Sequence, residues 1–566
     1  MTILQHPDAQ AVLQDAVLTP EQILELGERL EPFLQRYFPL FKRREQRLNA
    51  QLILEGKLSN LSRKTSEPIA NLAHVRGENL QDFIGSSPWK DRAVLDGLRQ
   101  HVIEVWGDAK GVLVGDGSGF PKKGEHSCGV KRQWCGRLGK IDNCQVGVFL
   151  GYVCRHGHTL LDHRLFLPSE WAEDDARRTE CHVPKEITYK EIWEIQLEQI
   201  DANKDVPHAW VVCDSECGRV NAFRAGLRQR GERYVVDVRE DLRLRDLRAA
   251  PPGRQGTKGR CPSVPPQTDA LAWAAAQPAS AWQRFEIRKG EKRPLVVEAV
   301  ETWVETFEAS RVGPVERFVV IRTVDNPDAK TWQTLSNAEE QVPLAEVVWA
   351  HAQRFWGEVS FREGKSEVGL DEYETRSWAG WHHHMTMSLL ALWFLAQERY
   401  RVQKKTPAIT VSILREAFSR ILTLWRLTLD GIVREMNATL RRKEEARIYH
   451  YMANTGHYPP RRAMGEQNPT SAASKESSAA SKESSTGPQE LSAGPKRSRD
   501  PPVPARNSSA SVGYGLGKVP WPESGTRFAS LVPSRWSEPI ERAPAPGTGT
   551  CPWYGHTPLA RAPEPH

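Results

Sequence analysis

The sequence predicts an α/β protein: a mixed-sheet core split by a β-rich insertion, preceded by a helical N-terminal domain and followed by a disordered tail. Three observations predict it. Short apolar runs, several ending in a carboxylate, begin near residue 108 and then alternate with helical patterns. A Pro-, Gly- and Arg-rich break over 245–280 precedes a second group of strand-like runs. From about Pro459 the composition turns to Ser, Ala, Pro, Gly, Lys and Arg.

The elements follow in order. Residues 1–105 read as a helical domain. Thr19-Pro20-Glu21-Gln22 is a capping box with proline in the first turn. Ile23, Leu24, Leu26, Leu30, Phe33, Leu34 and Phe38 then recur near helical spacing. Further helices are expected around Glu67–Ala73 and Lys90–Trp106. Residues 106–240 supply strands at Gly111–Asp116, Gln145–Val153 and His158–Leu167, a helix at Lys185–Ile200, a strand at Trp210–Asp214, a helix at Asn221–Arg230 and a strand at Tyr234–Val238. Three meandering strands followed by alternating helices and strands is the order of an RNase H-like sheet.

Residues 241–340 read as the β-rich insertion, with strands at Trp282–Ile287, Leu295–Ala299 and Phe318–Thr323. Residues 341–450 return to the core: a helix from Leu344 that carries Glu358, another at Trp381–Tyr400 and a last one from Val411 to about Tyr449. The tail, 460–566, nearly repeats Ser-Ala-Ala-Ser-Lys-Glu-Ser-Ser between 471 and 485. It has too little apolar surface to fold alone.

Composition narrows the class. At 566 residues the chain is long enough for two or three domains. A formal charge of +6 suits a polyanionic partner. Nine scattered cysteines without a CxxC pair point to a reducing cytosol. Met1-Thr-Ile-Leu-Gln-His has no signal-peptide character. The longest apolar stretch, about Met385–Ala396, is too short for a bilayer-spanning helix of roughly 18 residues, so a buried helix and no membrane partner are expected.

The chemistry is read from three carboxylates. Asp116 and Asp214 each end an apolar run, and Glu358 lies in His351-x2-Arg354-x3-Glu358-x6-Lys365. A sheet fixes a strand-end carboxylate while its open edge admits substrate. Oxygen donors of this kind favour Mg²⁺ or Mn²⁺, and two such ions suit phosphodiester chemistry. Taken singly, Asp116 and Asp214 read more readily as turn or cap residues, and Arg354 with Glu358 as an ordinary i,i+4 ion pair worth a few tenths of a kcal/mol. Lys122 and Lys123 follow the first carboxylate and would face a DNA channel if Asp116 is catalytic; they read equally as cations of a solvated loop. Cys128, Cys135, Cys144 and Cys154 with His126, His156 and His158 match no zinc spacing. His382-His383-His384 begins an apolar helix, where packing or a contact to the DNA backbone outweighs metal binding.

At these positions the chain resembles the bacterial insertion-sequence DDE transposases, with their Tyr-x2-Arg-x3-Glu-x6-Lys signature. Arg354, Glu358 and Lys365 match, and His351 stands in place of the tyrosine. The resemblance extends to Arg63-Lys64 with Glu67-Pro68-Ile69, to the run Gly139–Phe149, to Phe166-Leu167-Pro168, and to Glu367–Asp371 with Tyr373, Arg376, Trp378, Gly380 and Trp381. It spans about residues 25–450. It implies that Asp116, Asp214 and Glu358 bind two Mg²⁺ or Mn²⁺ ions. Arg354, Lys365, Lys122, Lys123, His351, Tyr373 and Arg376 are the implied DNA-binding residues, and Trp282 or Trp303 is a base-stacking candidate.

The implied activity is cut-and-paste transposition of double-stranded DNA: cleavage at terminal inverted repeats, through a hairpin, and joining to target DNA. A homodimeric synaptic complex in the bacterial cytoplasm, associated with the nucleoid, is also implied. A repurposed DNA-binding protein and a structure-specific nuclease are the alternative readings.

Overall fold

The computed structural model describes residues 3–73, 75–251, 264–290, 293–308, 311–324, 330–422 and 429–462. From residue 463 the expected low-complexity tail lies outside these.

The core sheet begins with β1 (Val112–Pro121), β2 (Lys131–Cys135), β3 (Lys140–Cys154) and β4 (Gly157–Leu165), and continues with β5 (Trp210–Cys213) and β6 (Tyr234–Val238). β3 lies between β4 and β1, antiparallel to both. β5 runs parallel to β1 and β6 parallel to β5. The order β4-β3-β1-β5-β6, with the last three strands parallel, is the RNase H-like arrangement that the sequence order predicts.

The insertion supplies β7 (Arg243–Asp246), β8 (Thr268–Asp269), β9 (Gln283–Arg288), β10 (Leu295–Glu308), β11 (Arg311–Thr323) and β12 (Thr331–Ser336). These strands extend the core sheet. β12 pairs antiparallel with β6, and β11, β10 and β7 follow outward from it.

Alternation along the parallel strands sorts their side chains to two faces. Leu113, Val211, Cys213 and Val236 share one apolar cluster with Leu197 of the Ile192–Ala202 helix and with Phe223 and Leu227 of the Asn221–Gln229 helix. Val112, Val114, Trp210, Val212 and Val235 share the other with Val347, Val348, Trp356 and Val359. These last four belong to helices Leu344–Ala352 and Arg354–Val368. The apolar Trp378–Gln403 helix is buried along most of its length, as expected. Among the described residues, no helix is long and apolar enough to cross a membrane.

The N-terminal helices include Pro20–Glu28, Arg44–Leu58 and Asp91–Trp106. Thr19 and Gln22 form the capping box read from the sequence.

Local differences from expectation have physical causes. β1 does not stop at Asp116, because Gly117 to Pro121 remain in register with Val148 to Cys144. The helix expected from Lys185 starts at Ile192, where Glu191 and Glu194 form a capping box. The helix expected to run unbroken from Leu344 through Glu358 tightens at Gln353 and divides into Leu344–Ala352 and Arg354–Val368. The stretch expected as a helix from Val411 holds helices Val411–Leu422 and Leu429–Thr455.

Candidate active site

The parallel register builds the site. Gly115 of β1 is the partner of Cys213 of β5. One residue further along each chain, Asp116 and Asp214 therefore stand side by side, on strands spaced about 4.8 Å apart. Alternation puts Asp116 on the Val112/Val114 face, Asp214 on the Trp210/Val212 face and Asp237 on the Val235 face, which is one face of the sheet. The Arg354–Val368 helix crosses that face. It comes close because residue 357 is glycine: a Cβ there would lie 2.6 Å from Val114 Cγ1. Glu358 follows immediately.

Arg354 ties the carboxylates together. Its Nη2 is 3.2 Å from Glu358 Oε1 and its Nε 3.3 Å from Asp237 Oδ2. Burial alone would weaken its hold on the proton, yet Asp237, Glu358, Asp116 and Asp214 keep it above its ordinary range. Burial, then the charges of Asp214 and Glu358, push Asp116 up to about 8 despite Arg354. Asp214 is also raised, chiefly by burial, and caps a short helical turn by accepting from Glu216 N at 3.0 Å. The site is thus crowded with negative charge that one guanidinium offsets only in part. Its oxygen donors suit a hard divalent cation.

Asp116, Asp214 and Glu358 do not stand as a closed cluster. Among the described residues, no three His, Cys, Asp or Glu side chains form a group that could hold a metal ion. Glu358 is turned onto Arg354 and is half exposed, at 52%.

The remaining sequence-predicted residues fall into three groups. Lys365 lies within electrostatic reach of Asp116, and Lys122 follows the far end of β1. Burial lowers Lys365, and Asp116 and Asp371 oppose the shift. Lys122 Nζ donates to Tyr373 O at 3.1 Å and lies 3.3 Å from the centre of the Tyr373 ring. Two residues are buried and engaged. His351 Nε2 is 2.8 Å from Asp237 Oδ1, and the Tyr373 hydroxyl donates to Gln145 Oε1 at 2.7 Å. Lys123 and Arg376 are exposed on the surface. Of the two tryptophan candidates, Trp282 is half-buried beneath the Arg322 guanidinium, 3.8 Å from its ring centre, and Trp303 is half-buried on β10.

The histidine run is structural. Ring nitrogens of His382, His383 and His384 lie 2.9–3.0 Å from the carbonyls of Trp378, Ile84 and Gly369. The seven cysteines among the described residues are buried, and none of them is in a disulfide.

Two residues escape a reading of the sequence. Asp237 is 7% exposed in the middle of Tyr-Val-Val-Asp-Val. The one available signal is a carboxylate on the Val235 side of the alternation. Arg288 reaches Phe355 and Trp356 from β9 of the insertion, 3.7 Å and 5.2 Å from their ring centres. Glu358 counteracts the lowering that burial imposes on it. Only the paired strands reveal that proximity.

An acidic site where the parallel pairing of β1 with β5 ends, on this topology, fits a metal-dependent polynucleotide-cleaving enzyme. The family model for DDE superfamily endonucleases matches residues 36–294. A probable transposase for insertion sequence element IS701 from Microchaete diplosiphon is 38% identical over 324 residues, covering 56% of this chain and 74% of that protein. The chain belongs to the insertion-sequence DDE transposases, a family whose chemistry uses a divalent metal. A solved structure of the piggyBac transposase synaptic complex with hairpin DNA aligns over 84% of this chain and 90% of its own, at 10% identity and a TM-score of 0.32.

Proposed function

We propose that Asp116, Asp214 and Glu358 are the catalytic metal ligands of a cut-and-paste transposase acting on double-stranded DNA. The observation that carries this reading is the parallel register that sets Asp116 beside Asp214 beneath the helix bearing Glu358. Two divalent ions, Mg²⁺ or Mn²⁺, would supply activation of the attacking oxygen and charge stabilisation of the leaving oxygen. The substrates are the element's terminal inverted repeats and the target DNA, brought together by a homodimer.

Each protein group then has a task. Asp237 and His351 hold Arg354 at the inner wall of the site. Arg354 turns from Glu358 to a phosphate oxygen when Glu358 takes up its ligand role. Lys365 and Lys122 bind phosphates on either side of the scissile bond, with Tyr373 orienting Lys122. Lys123 and Arg376 contact the backbone further out. Trp282 or Trp303 stacks on a base displaced from the helix.

The test is excision in cells of a marker flanked by the DNA that borders the gene. Excision by the parent chain, lost in Asp116→Asn, Asp214→Asn and Glu358→Gln alike, supports the assignment. Retained activity in one variant removes that carboxylate from the ligand set. No excision by a parent chain that still binds the same ends points to a repurposed DNA-binding protein.

A further inference from the structure

The β2–β3 hairpin carries a surface that the acidic site does not use. Its inner face includes a small apolar cluster: Cys135 and Cys144 group with Val146, against which Phe166 and Ile192 pack. This packing fixes the hairpin on the core. Its outer face is different. Trp134 and Ile141 are cross-strand partners, 62% and 58% exposed, and Leu138 at the turn is 42% exposed. Adjacent exposed apolar side chains on a braced hairpin mark a contact surface more than isolated ones would.

The surrounding charge selects the partner. Three of the hairpin's cations already meet acids: Lys131 pairs with Glu170, Arg137 with Asp371 and Lys140 with Asp142. Arg132 lies on the same face as Trp134. A second copy of the chain meeting this patch symmetrically would set Arg132 against its own counterpart. The apolar area offered is also far below the roughly 800 Å² per partner of a stable interface. A polyanion with stackable faces meets both features at once.

Position agrees with this. The hairpin grows from the end of β1 that carries Asp116. A Cβ on Gly119 would lie 2.9 Å from Cys135 Sγ. Arg137 pairs with Asp371, and Lys365 feels Asp116 on one side and Arg137 and Cys135 on the other. DNA presented to the carboxylates therefore continues across the hairpin.

We propose that the β2–β3 hairpin is a DNA-docking element. Arg132 engages a phosphate, and the Trp134–Ile141 pair packs against bases unstacked next to the scissile phosphate. Apolar wedges and aromatic platforms act on nucleic acid in this way. The inference rests on the transposase reading given above and adds a contact to it.

The test uses the full chain and a labelled duplex carrying the DNA that borders the gene. Trp134→Ala with Ile141→Ala is expected to weaken binding about tenfold, at an unchanged melting temperature. Arg132→Ala is expected to flatten the log–log salt dependence by about one phosphate contact. With p-benzoylphenylalanine at position 134, ultraviolet light is expected to join the chain to the labelled strand. Crosslinks to a second copy, or to residues 463–566 of the same chain, would overturn the proposal. So would unchanged affinity in the double alanine variant of a parent that binds. A parent chain that fails to bind the duplex would overturn the DNA reading itself, and this inference with it.

Discussion

His351 Nε2 lies 2.8 Å from Asp237 Oδ1, while Arg354 Nε reaches Asp237 Oδ2 at 3.3 Å. The residue standing where the resembling signature has tyrosine thus turns inward, to a carboxylate on the strand beside Asp214. Although burial opposes it, His351 and Arg354 hold Asp237 below its ordinary range. Arg354 is consequently clamped from beneath.

Asp237→Asn removes the charge that both partners share. We expect a stability loss of about 1–3 kcal/mol, the scale of an unsatisfied buried polar group, and a larger fractional loss of excision. His351→Ala should show the same pattern, and His351→Gln, which keeps a donor, should recover most of it. Urea denaturation and excision measured on the same variants check both. Parental excision in Asp237→Asn would remove the clamp from the mechanism.

Gly357→Ala tests how closely the Glu358 helix must approach β1. The added Cβ would meet Val114 Cγ1 at 2.6 Å. Overpacking costs about 1–3 kcal/mol, partly offset by the better helix propensity of alanine. Because Val114 and Gly357 adjoin Asp116 and Glu358, excision should fall more than stability does. Gly77→Ala, where nothing lies within 4 Å, is the control and should stay near parental in both measurements.

Glu316→Gln probes the anchor of the insertion. Arg224 and Glu316 are both wholly buried, with Nε 3.1 Å from each carboxylate oxygen. The pair fastens the Asn221–Gln229 helix to β11. Breaking a buried pair on one side costs about 3–5 kcal/mol. Chemical denaturation should show a loss of that size, and a change under about 1 kcal/mol would refute the assignment.

The carboxylate crowding predicts a pH dependence with a definite sign. Asp116 titrates near 8 in the folded chain against an ordinary value of 3.8. An acid raised by folding binds more protons folded than unfolded between those values, so its contribution to stability declines as pH rises from about 4 to 8. In chelator, the melting temperature of the parent relative to Asp116→Asn should therefore fall across that range. Mg²⁺ at pH 8 should raise the parent's melting temperature by mass action and leave Asp116→Asn little changed. A parent that gains on the variant as pH rises in chelator would contradict the crowding.

The strands of the core were legible because each is a short apolar run bounded by turns or helical periodicity. The Trp210 and Tyr234 runs are examples. The extension of β1 was not legible: Gly117-Ser118-Gly119 has turn composition, and only pairing with β3 holds it extended. The β2–β3 hairpin was hidden for the same reason, since Lys131 to Cys135 alternates between charge and burial without an apolar signal. Asp116, Asp214 and Glu358 could be proposed one by one. Their nearness to Asp237 and Arg288 depends on strand register and on β12 joining β6, which no local pattern encodes.

That junction makes the insertion a poor candidate for excision by protein engineering. Residues 333–336 of β12 cover the backbone of Val235–Val238, and β11 and β10 are stacked outward from them. A shortened chain that skipped from Val238 to the Leu344 helix would leave a bare, largely apolar strand edge open to neighbouring molecules. Such an edge templates intermolecular pairing. Insoluble product from that truncation would then report a lost border strand and would say nothing about catalysis.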